Sequence, residues 1–380
     1  MLKAKQKNGI FSKIDPILFA CTVALSLISI FTVFGAMDNF GTRKLIMQVA
    51  MTIAGLIATV VVAQLDYRWV IDKLWIAMII GSAVFLILPL VPGLGSSGEN
   101  METTNRSWLN IPIINIGIQP SEFVKIALVC SFSKHVGMVR DRERMNKITE
   151  LLLLGLHAGG IIGLILLSGD LGVALVYIAF IAIMLFSAGM SYWYFVGGGA
   201  AAVLLFPLLW NFLADYQRER IIVGFNPMLD PEGKGMQALL SKQCIGNGGL
   251  LGIGLMGKGD YEVLPASHTD FIFATVCEKF GIIGGFIVIL LLVVMVVRIL
   301  IIARQCGNDY GGLICVGVAA IVIVQTIENL GMCLAMLPVI GITLPFLSCG
   351  GSSLLATFVL VALVHSVRSH NPGIRPNTKK

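Results

Sequence analysis

Ten mainly apolar stretches, most of them close to twenty residues long, restrict this chain more than any motif does. A run of about twenty apolar residues crosses a hydrocarbon core of about 30 Å as a helix, and lipid offers no partner to an unpaired backbone amide. The expected spans are 16–36, 45–65, 74–94, 121–133, 151–167, 171–187, 192–214, 271–303, 313–337 and 352–367. The chain is 57% hydrophobic and 13% charged, against about 25% charged in soluble domains. The fold class is therefore an all-α integral membrane protein, one polytopic unit over 1–380, with about ten transmembrane helices and no nucleic-acid partner.

The interruptions are as informative as the runs. Segment 95–118 is polar and is expected to be an irregular loop outside the core, with Asn105, Arg106 and Trp108. Glu122 and Lys125 break the start of the fourth span, and the fifth and sixth are joined through Ser168, Gly169 and Asp170, a tight hairpin with a carboxylate at its tip. The eighth span is longer than a bilayer requires, so its first turns should rise above the membrane or kink between Gly281 and Gly285. Pro338 to Ser348 is apolar but short and interrupted by Pro345, which suggests a re-entrant segment before the tenth span. The first run lacks an evident small-residue cleavage site and is expected to be retained as a span. The eight cysteines form no C-x-x-C pair or Cys/His cluster and read as small buried hydrophobes.

Alternating the spans places the termini, the 134–147 loop and the 298–304 end on one side, with most of the 27 Lys and Arg. The positive-inside rule then puts both termini in the cytoplasm. The loops 95–118 and 215–270 face outward. The second, large extracytoplasmic loop lies between spans seven and eight and ends in L-P-A-S-H-T-D-F-I-F, Leu264 to Phe273. Asp270 stands at the edge of a membrane span with His268 two residues before it, and an ionisable group there is a functional candidate by default. The same loop holds Arg218, Arg220, Lys242 and Lys258 and a glycine-rich run, 243–259. Glycine amides can cradle phosphate, although such runs also serve as plain flexible loop. A cationic loop beside a carboxylate suits an anionic substrate with a hydroxyl to activate.

Six motifs in order, N-R-S-W-L-N (105–110), Q-P-S-E-F-V-K (119–125), D-L-G (170–172), Y-Q-R-E-R (216–220), L-P-x-x-H-T-D-F-I-F (264–273) and L-P-F-L-S-C-G-G-S-S (344–353), cover nearly the whole chain. In them the chain resembles the SEDS proteins (shape, elongation, division and sporulation), the family of RodA, FtsW and SpoVE. The resemblance implies a ten-span peptidoglycan glycosyltransferase that polymerises lipid II at the outer face of the bacterial cytoplasmic membrane, in complex with a class B penicillin-binding protein. It aligns Asp270 with the family's essential carboxylate and Trp108 with its functional tryptophan. Departures occur at Ala266, where family members often carry Glu, at Cys277-Glu278-Lys279 for A-E-E, at Ser168-Gly169 before D-L-G, and at Cys349 for Tyr.

The chemistry so implied needs one base and a cationic clamp. Asp270 would accept the proton of a GlcNAc 4-hydroxyl as it attacks the anomeric carbon of a lipid-linked sugar. Arg218, Arg220, Lys125 and Arg106, with Lys258 and His268 nearby, would hold the departing diphosphate by charge-assisted bonds or with a divalent ion such as Mg or Mn. An α-linked diphosphate and a β-1,4 product mean inversion without a covalent intermediate. Plainer readings stand beside these: Asp270 as a helix cap, Trp108 as an interfacial belt residue, and Glu122 with Lys125 as a structural ion pair. Asp170 and Ser352 would be supporting residues, and His268 lacks a second histidine nearby to make a metal site. A lipid II flippase and a scaffold for the penicillin-binding protein are the alternatives from other functional classes.

Overall fold

The computed structural model describes residues 13–92, 94–96, 106–111, 116–213, 215–306 and 310–371. Asn105 and the basic head before Lys13 lie outside them. The apolar runs fold as α1 (Pro16–Gly35), α3 (Thr42–Gln64), α4 (Tyr67–Ile87), α5 (Pro120–Asp141), α6 (Ile148–Leu167), α7 (Leu171–Ser187), α8 (Tyr192–Phe212), α11 (Ile272–Gln305), α12 (Tyr310–Cys333) and α13 (Gly351–His370). A four-residue turn, α2 (Met37–Phe40), joins the first two. Seven of the described helices are long and apolar enough to span by themselves. The other three are α5, α7 and α8, each in step with an expected span.

Boundaries moved where packing overrides hydropathy. The fourth span was expected over 121–133, but α5 extends to Asp141 because it sits inside the bundle rather than against lipid. Its buried residues include Ser121, Glu122, Lys125, Ser131 and Ser133, so its polarity costs nothing to lipid contact. The third span, α4, starts at Tyr67, seven residues before the hydropathic run, because Asp66 caps it by accepting a hydrogen bond from Arg68 N at 3.0 Å. The ninth ends at Cys333 rather than at 337. Segment 95–118 is not irregular throughout: β1 (Gly95–Ser96), β2 (Trp108–Ile111) and β3 (Ile116–Ile118) pair antiparallel in a small sheet. The pairs Ser96 with Trp108 and Leu109 with Ile118 set its register.

α12, α13 and α5 form the centre, with α12 packed on α11, α7 and α5, and α13 lying along α3. Small residues permit these approaches: a Cβ at Gly55 would stand 2.2 Å from the Phe358 ring, and one at Gly311 2.4 Å from the Tyr67 hydroxyl. Outer helices show apolar side chains to their surroundings, most of all α8, where Leu204 is 78% exposed. That outward apolar surface is what a bilayer requires. All eight cysteines are buried and free of disulfides.

The large loop is itself structured, containing α9 (Asp215–Phe225) and α10 (Met236–Asn247). The glycine-rich run after α10 packs against a break in α11 at Gly281 (φ 70°), inside the expected kink. A Cβ at Gly281 would lie 2.2 Å from Leu250 O, so only glycine fits. The freed carbonyls of Glu278 and Lys279 accept hydrogen bonds from Ile253 N (2.9 Å) and Gly254 N (3.1 Å). Two of the glycine run's amides are therefore occupied in pinning a helix break. The Lys279 ammonium, fully buried, donates to the carbonyls of Gly35, Leu255 and Gly257 and to the Tyr261 hydroxyl, tying loop to bundle.

Candidate functional site

The H-T-D stretch enters α11 from a chain reversal that Ala266 makes with φ 54°, its carbonyl accepting from Thr269 N and Phe271 N. Four consecutive carbonyls then each receive a donor. Ser267 O accepts from Thr275 Oγ1 at 2.9 Å, and His268 O from Cys349 N at 2.8 Å. Thr269 O accepts from Ser348 Oγ at 2.7 Å, and Asp270 O from Asn329 Nδ2 at 2.7 Å. Three of these donors come from distant chain, the non-helical segment 338–350 and the end of α12. Buried carbonyls need partners, and here the partners fix the backbone that carries Asp270.

The cap position of α11 is held by Phe271, one residue on, so Asp270 is not the N-cap residue that one sequence reading made it. Its Oδ2 faces Gly341, where a Cβ would stand 3.4 Å away. Gly341 (φ +72°) needs the left-handed region and also lines a narrow cavity of mixed polar and apolar walls. The other walls are Gln119 just before α5, Glu122 and Lys125 of α5, Val173 and Val176 of α7, Gln325 of α12, and Ile342 and Thr343. Asn329 bridges the two sides, since its Nδ2 also donates to Ile342 O at 2.7 Å.

Within the cavity the Lys125 ammonium stands 2.8 Å from Glu122 Oε2, both side chains almost wholly buried. The pair is ionic by distance, while Glu122 Oε2 lacks hydrogen-bond geometry. Asp170, at the tip between α6 and α7, caps α7 through Val173 N (3.1 Å) and accepts from Gln119 Nε2 (3.1 Å). Burial pushes its carboxyl above the usual range, against those two hydrogen bonds, which pull it down. Three residues predicted from sequence, Glu122, Lys125 and Asp170, thus gather on one side of Gly341, and Asp270 lies on the other.

Sequence position spoke for the family before geometry did, and the comparison agrees. Residues 13–372 match the sequence pattern of the family described as Cell cycle protein, which groups FtsW, RodA and SpoVE. The chain belongs to the FtsW/RodA/SpoVE family. It is 31% identical to the "Probable peptidoglycan glycosyltransferase FtsW" of Trichlorobacter lovleyi, over 97% of this chain and 96% of that one. It is equally 31% identical to "Peptidoglycan glycosyltransferase MrdB" of Escherichia coli K12, over 94% of each chain. A solved chain from work on "Structural coordination of polymerization and crosslinking by a peptidoglycan synthase complex" superposes with a TM-score of 0.79. That chain is 27% identical, and the match covers 93% of this chain and 97% of that one.

Other residues that the FtsW/RodA/SpoVE motifs singled out lie apart from Asp270 or serve as supports. Trp108, on β2, lays its ring over Gly117, where a Cβ would be 3.2 Å from it. Ser352 Oγ donates to Gly117 O at 3.3 Å, joining the sheet to α13. The Arg106 backbone N donates to Ser168 O at 3.2 Å beside Asp170, and its side chain is exposed. Arg218 donates from Nε to Trp210 O and from Nη2 to Asn211 O, both at 2.9 Å, closing the end of α8. Arg220 follows on α9, its side chain outside the described ones, and Lys258 is exposed on the glycine run. Among the described residues no three His, Cys, Asp or Glu side chains converge as a metal cage.

Sequence reasoning missed the residues that act on the H-T-D stretch from afar: Asn329 as a clamp, Ser348 and Cys349 as donors, and Lys44, whose Nζ touches His268 Nε2. The signal for Asn329 was present, an amide in a mainly apolar helix, but its target lies 59 residues away.

Proposed function

We propose that this chain polymerises lipid II into glycan strands, with Asp270 as general base. The enzyme class, peptidoglycan glycosyltransferase, is that of its FtsW/RodA/SpoVE-family relatives. The observation that carries the catalytic assignment is the clamp on four successive carbonyls, which fixes the backbone of Asp270 with its Oδ2 facing Gly341. A base must be held within hydrogen-bond reach of the hydroxyl it serves, and a preorganised backbone supplies that at no further ordering cost.

In the step, the acceptor O4 forms a bond to the donor anomeric carbon and its proton passes to Asp270. The anomeric C–O bond breaks with its electron pair going to the diphosphate oxygen, so the configuration inverts. Lys125, beside Glu122 in the cavity, is placed to orient a polar substrate group, and Gln119 and Asp170 hold that wall in shape. Trp108, on the extracytoplasmic sheet, offers an aromatic face to a sugar ring. The partner that such an enzyme requires is a class B penicillin-binding protein, and the positive-inside distribution of Lys and Arg supports cytoplasmic termini and an outward-facing Asp270.

The test is to supply purified lipid II to the purified chain with its penicillin-binding partner and to resolve glycan strands by size. Polymer supports the reading. Transfer of lipid II across vesicle bilayers without polymer would replace it with a flippase, and polymer made only by the partner would replace it with a scaffold.

A further inference from the structure

The cavity that Gly341 lines is built from groups that the fold leaves without partners. Lys125 is 2% exposed and Gln325 4%, and both belong to its wall. Among the described residues neither side chain makes a hydrogen bond, and the Lys125 ammonium has only its ion contact with Glu122. Glu122 Oε2 is buried and receives no hydrogen-bond donor. A buried donor without an acceptor and a buried acceptor without a donor each cost free energy until something meets both needs. Their polar neighbours are already engaged: Gln119 Nε2 donates to Asp170 Oδ2, and the hydroxyls of Thr343 and Ser353 bond to each other at 2.7 Å.

Size and charge narrow what can fill the space. Its volume is about 10 Å³, room for about one oxygen-sized group and too little for a phosphate or a sugar ring. Its charge is balanced, because Glu122 at 2.8 Å offsets Lys125, so a diphosphate gains little there. A hydroxyl matches the unmet groups: its oxygen can accept from Lys125 and Gln325, and its hydrogen can go to Glu122 Oε2. Of the residues in the wall Gly341 alone is exposed, so the cavity meets the outside there, at the residue that Asp270 Oδ2 faces.

We propose that this cavity is the pocket for one non-reacting hydroxyl of the acceptor sugar, a neighbour of the hydroxyl whose proton passes to Asp270, with Lys125 and Gln325 as its donors. This rests on the glycosyltransferase reading. A hydroxyl seated past Gly341 fixes the ring while the reacting oxygen stays on the Asp270 side, so the acceptor is selected and deprotonated on two sides of one glycine. Lys125 is then a substrate-orienting group, and the leaving diphosphate is held by other residues.

The experiment measures equilibrium binding to the full-length chain of lipid II, of lipid II lacking the 3-hydroxyl or the 6-hydroxyl of its GlcNAc (the neighbours of O4), and of undecaprenyl diphosphate as the sugar-free control. Wild type is compared with Gln325→Leu and with Glu122→Gln/Lys125→Met, a double variant that leaves neither charge buried alone. Wild type should bind one of the deoxy analogues about tenfold or more weaker than lipid II. Both variants should bind lipid II weaker by a similar factor and no longer distinguish it from that analogue. Undecaprenyl diphosphate should bind all of these proteins alike, which a misfolded variant would not do. Equal affinity of wild type for lipid II and both analogues means that the cavity holds water only and overturns the proposal, and so does a parallel loss of undecaprenyl diphosphate in Gln325→Leu. The readout needs no turnover: a chain that binds in the expected pattern yet makes no polymer would sink the glycosyltransferase reading and leave the hydroxyl pocket standing.

Discussion

At one end of the helical bundle Asp15 precedes α1, and at the other Asp270 precedes α11, yet the chain surrounds these two carboxylates in different ways. Asp15 is fully buried and its oxygens are occupied. Oδ1 caps α1 by accepting from Leu18 N at 3.0 Å, Arg298 donates to both oxygens with its closest contact 2.6 Å, and Arg368 Nε lies 3.2 Å away. Its own N–H donates to His365 Nδ1 at 3.0 Å. At Asp270 the chain secures the backbone, by donors to its carbonyl and to the three before it. The contrast separates a carboxylate whose ion pairs join α1, α11 and α13 from one whose backbone is held by donors from distant chain and whose Oδ2 faces Gly341.

Asp15→Asn should break the first end most severely. Removing one partner from a buried ion pair leaves the other charge uncompensated, so unfolding in detergent should become easier by about 3–5 kcal/mol while the folded fraction keeps its polymerising activity. The pH dependence follows. Burial alone would raise the Asp15 carboxyl, but the Arg298 hydrogen bonds, the Leu18 amide and the charges of Arg298 and Arg368 outweigh it and hold it below its ordinary 3.8. A folded value below the unfolded one stabilises the protein above pH 3.8, and that contribution is lost as pH falls through the folded value. Thermal melts of wild type should therefore fall off below that pH, and melts of Asp15→Asn should do so less.

Asn329→Leu sharpens the other end. It removes the donor to Asp270 O and to Ile342 O together, leaving Ile342 O short of that partner and Asp270 O with only the weak Cys333 thiol at 3.8 Å, at about 1–3 kcal/mol for each lost bond. Activity should drop about tenfold or more, beyond what the loss of stability explains, and the two effects separate by assaying well below the melting temperature. If activity per folded molecule is unchanged, the clamp does not position Asp270.

The ten helices were legible because a spanning run announces itself by length and composition, and the break at Gly281 because a 34-residue helix exceeds any bilayer. The full length of α5 was hidden by its own burial: hydropathy asks whether a helix likes lipid, and α5 hardly meets it. The strands beside Trp108 were too short to show a period of two. Asp270 was singled out from sequence, but the contacts that hold its backbone were not, because Asn329, Ser348, Cys349 and Lys44 meet that stretch only through folding. The glycine run read as a phosphate cradle or plain loop, whereas its amides at 253 and 254 serve the break in α11, a pairing that depends on carbonyls freed 25 residues later.

Smaller effects test finer points of the same contrast. Gly341→Ala would force alanine into a left-handed conformation at about 1–2 kcal/mol and set a methyl against the Asp270 carboxylate, so activity should fall while Asp15-dependent stability is untouched. Arg218→Ala should cost less than about 1 kcal/mol, since its ion pair with the exposed Asp215 is weak and only the carbonyls of Trp210 and Asn211 lose a donor. The KM for lipid II should stay as it was, and a several-fold rise would return Arg218 to the substrate clamp.

The most direct measurement of the central claim is lipid II polymerisation by Asp270→Ala with and without added formate. The account predicts no polymer from the variant alone, with wild-type folding, and partial recovery as formate supplies a carboxylate beside Gly341. Full activity without formate would contradict it.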